Sequence, residues 1–139
     1  MVPVNYLAIV VATAISMAVG FAWYGPLFGK QWMALMGMSM ESITEAKKKS
    51  MAKNYALMAV GSLVMSFVLA HSLIFASAYL KTSGISAGLM AGFWNWLGYI
   101  APVTLGSVLW EGKPWKLWIL NNGYYVVTLL LMGVVLALM

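Results

Sequence analysis

The sequence predicts an all-α, polytopic integral membrane protein, with four transmembrane helices and a short cytoplasmic interfacial helix in its first loop. Three observations predict it. Hydrophobic residues make up 63% of the 139 and charged residues only 8%, against about half and about a quarter in an ordinary soluble domain. The apolar residues gather into four stretches, near 4–24, 55–79, 85–109 and 117–139, and none holds Lys or Glu in its interior. Each stretch is near the roughly 20 residues that a helix needs to cross a bilayer. Finally, every lysine lies between these stretches. One domain, residues 1–139, follows from the length. Only helices and closed barrels span lipid, and barrel strands are shorter and alternate in polarity.

The first stretch has no Lys before it and ends in Trp23-Tyr24-Gly25-Pro26. A secretory signal would show a positive start and a small-residue cleavage site, so this stretch reads as a retained span. In the loop 25–54, the segment 28–40 is apolar with few charges and reads as the interfacial helix. Ser42-Ile43-Thr44-Glu45 then matches a capping box, which predicts a helix starting at Ile43. No breaker follows until well past Tyr55. The same helix is therefore expected to continue into the second span, projecting Lys47, Lys48 and Lys49 into the cytoplasm beside anionic lipid. The third and fourth stretches follow after short connections at 80–84 and 110–116.

The connections set the orientation. The first loop holds Lys30, Lys47, Lys48, Lys49 and Lys53, the third holds Lys113 and Lys116, and the second holds only Lys81. The positive-inside rule places loops one and three in the cytoplasm and both termini outside, in what reads as a bacterial inner membrane. Trp23, Tyr24, Trp32, Trp110, Trp115 and Trp118 fall at the inner interface, and Tyr6 and Tyr79 near the outer one, where amphipathic rings anchor.

Composition also excludes chemistry. The chain has no Cys, Asp or Arg, one His and three Glu. Thiol catalysis, a multi-ligand metal site within one chain and a nucleophile–base–orienter set are not expected, and neither a cofactor nor an enzymatic activity is predicted. The net charge of +5 comes from lysines beside apolar runs, which points to the membrane surface and not to nucleic acid. Met33, Met36, Met38 and Met40 have thioether spacing for a soft metal such as copper(I). Flexible apolar contact with lipid or a neighbouring helix is the simpler reading.

Small residues recur every four positions: Ala8, Ala12, Ser16 and Gly20; Ser62, Ser66 and Ala70; Gly84, Gly88 and Gly92. Each set forms a stripe that lets helix backbones approach closely. Polar residues within spans need partners in lipid. His71 lies in the outer half of the second span. Asn95 lies mid-way along the third, with Gly98 and Pro102 on the same face by helical spacing. They read either as a polar seam, a pathway, or as an interhelical hydrogen bond with a packing kink. Glu111, Lys113, Asn121 and Asn122 are expected to meet at the cytoplasmic mouth, as a turn-stabilising ion pair or as a gate. A weak repeat pairs Trp23-Tyr24-Gly25 with Trp110-Glu111-Gly112, and 65–70 with 132–137, suggesting two hairpins of like orientation.

Two motifs carry a resemblance: Trp23-Tyr24-Gly25-Pro26-Leu27-Phe28-Gly29-Lys30, and 106–117, which contains Trp110-Glu111-Gly112-Lys113-Pro114-Trp115. With Asn5-Tyr6, Ala52-Lys53 and the Asn-x-Gly-Tyr stretch Asn121–Tyr124, they make the chain resemble, over nearly its whole length, a family of small four-span membrane proteins catalogued as domain of unknown function 1761. The resemblance implies an integral membrane protein and carries over no catalytic or binding residue.

The leading expectation is a small permease or channel-like subunit for an ion or small solute. A 15.2 kDa bundle hardly encloses a pathway alone, so a homo-oligomer in the lipid bilayer is expected. The alternative is a non-catalytic accessory protein packed against a larger membrane complex through the third-span glycines and the Met-rich loop.

Overall fold

The computed structural model describes residues 3–48 and 51–139. Helices account for nearly all of them, and no strand occurs among the described residues. Helix α1 spans Tyr6–Ala22 and is capped by Asn5, whose side-chain oxygen accepts from the Ala8 N–H at 3.2 Å. It runs on into a π-helical turn, Trp23–Leu27. Pro26 sits inside that turn and has no N–H to give the α-ladder. The Phe28 N–H reaches back five residues to the Trp23 carbonyl at 2.8 Å. Gly29 is required just beyond, because a Cβ there would stand 2.5 Å from the Tyr24 carbonyl oxygen.

Helix α2, Gly29–Leu35, lies within the segment expected to form the interfacial helix. It closes in a Schellman turn: Gly37 takes φ 68°, and the Met38 N–H returns to Met33 O at 3.1 Å. Helix α3, Met40–Lys48, corrects the expected capping box. Ser39, three residues upstream of Ser42, is the cap, its Oγ accepting from the Ser42 N–H at 3.2 Å. The Ser42 hydroxyl is itself used, donating to Ser39 O at 2.8 Å. The expected continuous helix into the second span is also corrected: α3 ends at Lys48 and α4 begins at Ala52. Met51 lies between them outside either helix and stands at the N-cap of α4. Lys49 and the side chains of Lys47 and Lys48 lie outside the described residues.

Helix α4, Ala52–Leu80, ends at Lys81, which adopts the left-handed region at φ 53°. The third apolar stretch is interrupted. It comprises α5 (Gly84–Asn95), a π-helical turn (Trp96–Ile100), α6 (Ala101–Thr104) and α7 (Gly106–Leu109). Pro102 again removes a donor, and the Ala101 N–H reaches back five residues to Trp96 O. After Gly112 (φ 67°) and Pro114, α8 runs from Trp115 to Leu138. Among the described residues, three helical segments are long and apolar enough to cross a membrane: Tyr6–Leu27, Ala52–Leu80 and Trp115–Leu138. The third stretch is not among them, because its helix is broken into shorter pieces.

The helices form a bundle around α8. It packs most extensively on α5, then on α1, while α1 also packs on α4, and α4 on α5. Between α5 and α8 the backbones touch. A Cβ on Gly92 would lie 2.5 Å from the Leu129 carbonyl oxygen, one on Gly88 would lie 2.6 Å from the Gly133 carbonyl carbon, and one on Gly133 would press on the Gly88 carbonyl. Gly84 does not continue this stripe; it takes φ 64° at the start of α5, with open space around it. Between α1 and α4, Ser16 and Ser62 share a hydrogen bond at 3.1 Å, and the Ser66 hydroxyl donates to Ile9 O at 3.0 Å. A Cβ on Gly20 would lie 3.3 Å from the Tyr124 hydroxyl. Ala12, Leu69, Leu73, Ala87, Ala91, Leu129 and Met132 fill the core. Outward-facing apolar residues such as Leu7, Val60, Phe75, Val103 and Ile119 stay exposed on every long stretch. That inverted surface is compatible with lipid as the surrounding medium.

The contact predicts an asymmetry between two glycines. Gly133→Ala forces a methyl into the Gly88 carbonyl and is expected to cost about 2 kcal/mol, as overpacking does. Gly61→Ala meets nothing within 4 Å and should be neutral or stabilising by up to about 1 kcal/mol through helix propensity. Unfolding in mixed micelles by titrated sodium dodecyl sulfate measures both.

Candidate functional site

Two polar features stand out, one closed and one open. The closed one is a knot at the end of the bundle where α1 finishes and α8 starts. Asn122, 3% exposed, accepts from the Trp96 indole N–H at 3.0 Å. Its amide donates to Thr104 Oγ1 at 3.0 Å and to the Trp118 carbonyl at 3.1 Å. The Trp118 indole also donates to Thr104 Oγ1, at 3.1 Å, and that hydroxyl donates onward to Ile100 O at 2.8 Å. From the first π-helical turn, the Trp23 indole donates to Leu120 O at 3.2 Å and the Tyr24 hydroxyl to Asn121 Oδ1 at 3.0 Å. Tyr24 stands edge-on to Tyr124 and to Trp32. Gly123 makes room, since a Cβ there would lie 3.0 Å from the Trp23 ring.

Both π-helical turns therefore open with a tryptophan whose indole N–H is delivered to the same stretch of α8. Their sequences are Trp-Tyr-Gly-Pro-Leu and Trp-Leu-Gly-Tyr-Ile. The structural counterpart of Trp23 is thus Trp96. The pairing with Trp110 suggested by Trp110-Glu111-Gly112 is corrected: Trp110 follows α7 and is 86% exposed, so it presents no indole donor to α8.

The open feature is a cleft of about 430 Å³ between α4, the second π-helical turn and α8. Met65, Leu69 and Leu129 supply apolar wall; Ser72, Asn95 and Tyr99 supply polar groups. Asn95 donates to Ala91 O at 2.8 Å, one turn back in its own helix, and its Oδ1 receives only a long 3.4 Å contact from the Ser72 hydroxyl. Tyr99 is 75% exposed at the rim. A smaller cleft of about 270 Å³ at the opposite end is bordered by Ser77, Thr82 and Ser83 beside the loop between α4 and α5, and by Leu136 and Ala137 of α8.

The sequence candidates fall out as follows. Asn95 lines the cleft, but Pro102 does not join it; the π-helical turn advances the register, so i and i+7 no longer share a face, and Pro102 is exposed. Gly98 is exposed with nothing near it. His71 bonds through Nδ1 with Phe67 O at 2.8 Å and packs against the Phe67 ring at a tilt of 48°, 4.3 Å between centroids. The expected knot of Glu111, Lys113, Asn121 and Asn122 is also corrected. Asn121 and Asn122 turn to α1 and to the third stretch, while Glu111 is exposed beyond the Gly112 turn. Trp96, Thr104 and Ser72 escaped sequence reasoning. The repeated Trp-x-Gly-x-aliphatic pattern is the signal that marks Trp96; a threonine and a serine among apolar residues carry none.

A profile of the family described as "Protein of unknown function (DUF1761)" matches residues 7–137. No curated protein and no solved structure matches the chain.

The knot predicts graded losses. Asn122→Ala strands the Trp96 indole N–H, and should cost about 2 kcal/mol. Asn121→Ala removes one half-buried bond to Tyr24 and should cost about 1 kcal/mol or less. The same micellar unfolding titration ranks them; equal losses would contradict the difference in connectivity.

Proposed function

Given that the chain belongs to the DUF1761 family, we propose that it is a four-span protein of the bacterial inner membrane acting as a small oligomeric permease or channel-like subunit. The third stretch crosses as one interrupted helix. Loops one and three lie in the cytoplasm and both termini outside, following the lysine distribution.

The observation that carries this reading is the Asn95 cleft. Asn95 is the last residue of α5, so it stands about 16 Å along from Gly84 at 1.5 Å per residue. The hydrocarbon core is about 30 Å thick, which puts the cleft well inside it. A half-open cavity with an amide and two hydroxyls at that depth is where a solute would be held in transit. Broken helices with freed backbone groups commonly flank such sites in transporters. An accessory role is less well supported, because Gly88 and Gly92, the stripe that would grip a partner, are covered by α8.

Flux into proteoliposomes tests the proposal. At least one member of a broad panel of ions and small solutes should pass faster than into empty vesicles. Asn95→Leu should slow it about tenfold, equivalent to about 1.4 kcal/mol, and Glu111→Gln should leave it unchanged. Flux equal to that of empty vesicles across the panel would contradict it.

A further inference from the structure

The cleft's chemistry narrows what it can hold. None of its lining residues is Lys, Glu or His. An ion seated there would lose its hydration with no opposite charge to replace it. The occupant is therefore neutral. The polar side of the cleft is also short of partners. A primary amide offers two donors and two acceptor sites, and Asn95 has one good bond, to Ala91 O, and one long contact, from Ser72. Among the described residues the Tyr99 hydroxyl takes no hydrogen bond.

Tyr99 is the sharper anomaly. Tyrosines in membrane proteins usually sit at the interface, where the hydroxyl reaches water. Tyr99 follows Asn95 by one turn and lies near the middle of the Gly84–Leu109 stretch. Tyr99 is exposed there, where lipid would offer its hydroxyl no hydrogen bond. Val68, itself 54% exposed, stands with it at the mouth. The mouth thus faces outward from the bundle, towards lipid, and the walls behind it are Met, Leu and Ile.

We propose that the cleft binds a neutral lipid taken laterally from the bilayer. Its hydroxyl or carbonyl headgroup bonds to Asn95 and Tyr99, and its alkyl chain lies along Met65, Val68 and Leu129. Such a headgroup supplies the donor or acceptor that Asn95 and Tyr99 lack, and it brings no charge. The volume is within the range of small-molecule sites, about 300–1,000 Å³. This rests on the reading of the cleft as a binding place and names the class of molecule it takes.

The test uses the full chain in phosphatidylcholine vesicles with a diazirine-bearing analogue of hexadecanol, photolysed and mapped by mass spectrometry. Adducts should concentrate at Met65, Val68 and Tyr99, and excess hexadecanol should remove them where palmitate does not. Asn95→Leu should reduce them about tenfold. Val68→Trp blocks the mouth from an exposed position and keeps the test valid if Asn95→Leu fails to fold. Even labelling of all lipid-facing residues, Val103 and Ile119 included, or labelling indifferent to Val68→Trp, would overturn the proposal. Competed labelling without solute flux supports the lipid site and removes transport; flux without competed labelling overturns the lipid site and leaves the pathway.

Discussion

Where Gly88 and Gly92 meet Gly133 and Leu129, two helices touch backbone to backbone with no side chain between them. In water, burial of apolar surface would drive such a pairing. In lipid that drive would be missing, and close packing with dispersion contacts would replace it. The contact matters most for the third stretch, which is broken into short pieces and has less cooperative helix of its own to hold it straight. Its first half is held by the glycine contact, and its second half is tied to the same helix by the Trp96–Asn122 and Thr104–Asn122 bonds. Helix α8 is thus the post on which the interrupted stretch is mounted.

The two polar features play opposite parts around that post. In the knot, Asn122 and Thr104 take up the indole donors of Trp96 and Trp118 and tie them to one another, so this part is closed and reads as architecture. In the cleft, Asn95 is half satisfied and Tyr99 unsatisfied, so the site is open and reads as a place for something else. A fully bonded polar group specifies a fold; an underbonded one in an apolar medium calls for a ligand.

Much of the architecture was legible in the sequence because lipid imposes a strong rule. In lipid, uninterrupted apolar stretches must be helical, and α1, α4, α5 and α8 lie where those stretches do, while α2 and α3 lie in the loop between the first two. Local chemistry was harder. Ser42 looked like a cap, but the turn at Gly37 delivers Ser39 first. Pro102 was placed on the face of Asn95 by counting an unbroken helix, whereas the proline itself provokes the π-helical turn that spoils the count. Glu111 and the two asparagines looked adjacent across a short turn, but both asparagines are claimed by aromatic donors from helices far away in sequence. Such long-range pairings leave no periodic trace. The repeat was half visible: Trp23 has a counterpart, and the Trp-x-Gly-x-aliphatic pattern assigns it to Trp96.

The central proposal is that the interrupted third stretch, packed on α8, crosses the membrane. Lys81 and Lys113 bracket it, and the chain has no cysteine, so Lys81→Cys and Lys113→Cys each carry a single thiol. Labelling intact cells with a membrane-impermeant maleimide tests the claim most directly. Modification of the thiol at 81 from outside, with that at 113 reacting only after the cells are opened, is the predicted result. Reaction of both from the same side would contradict it.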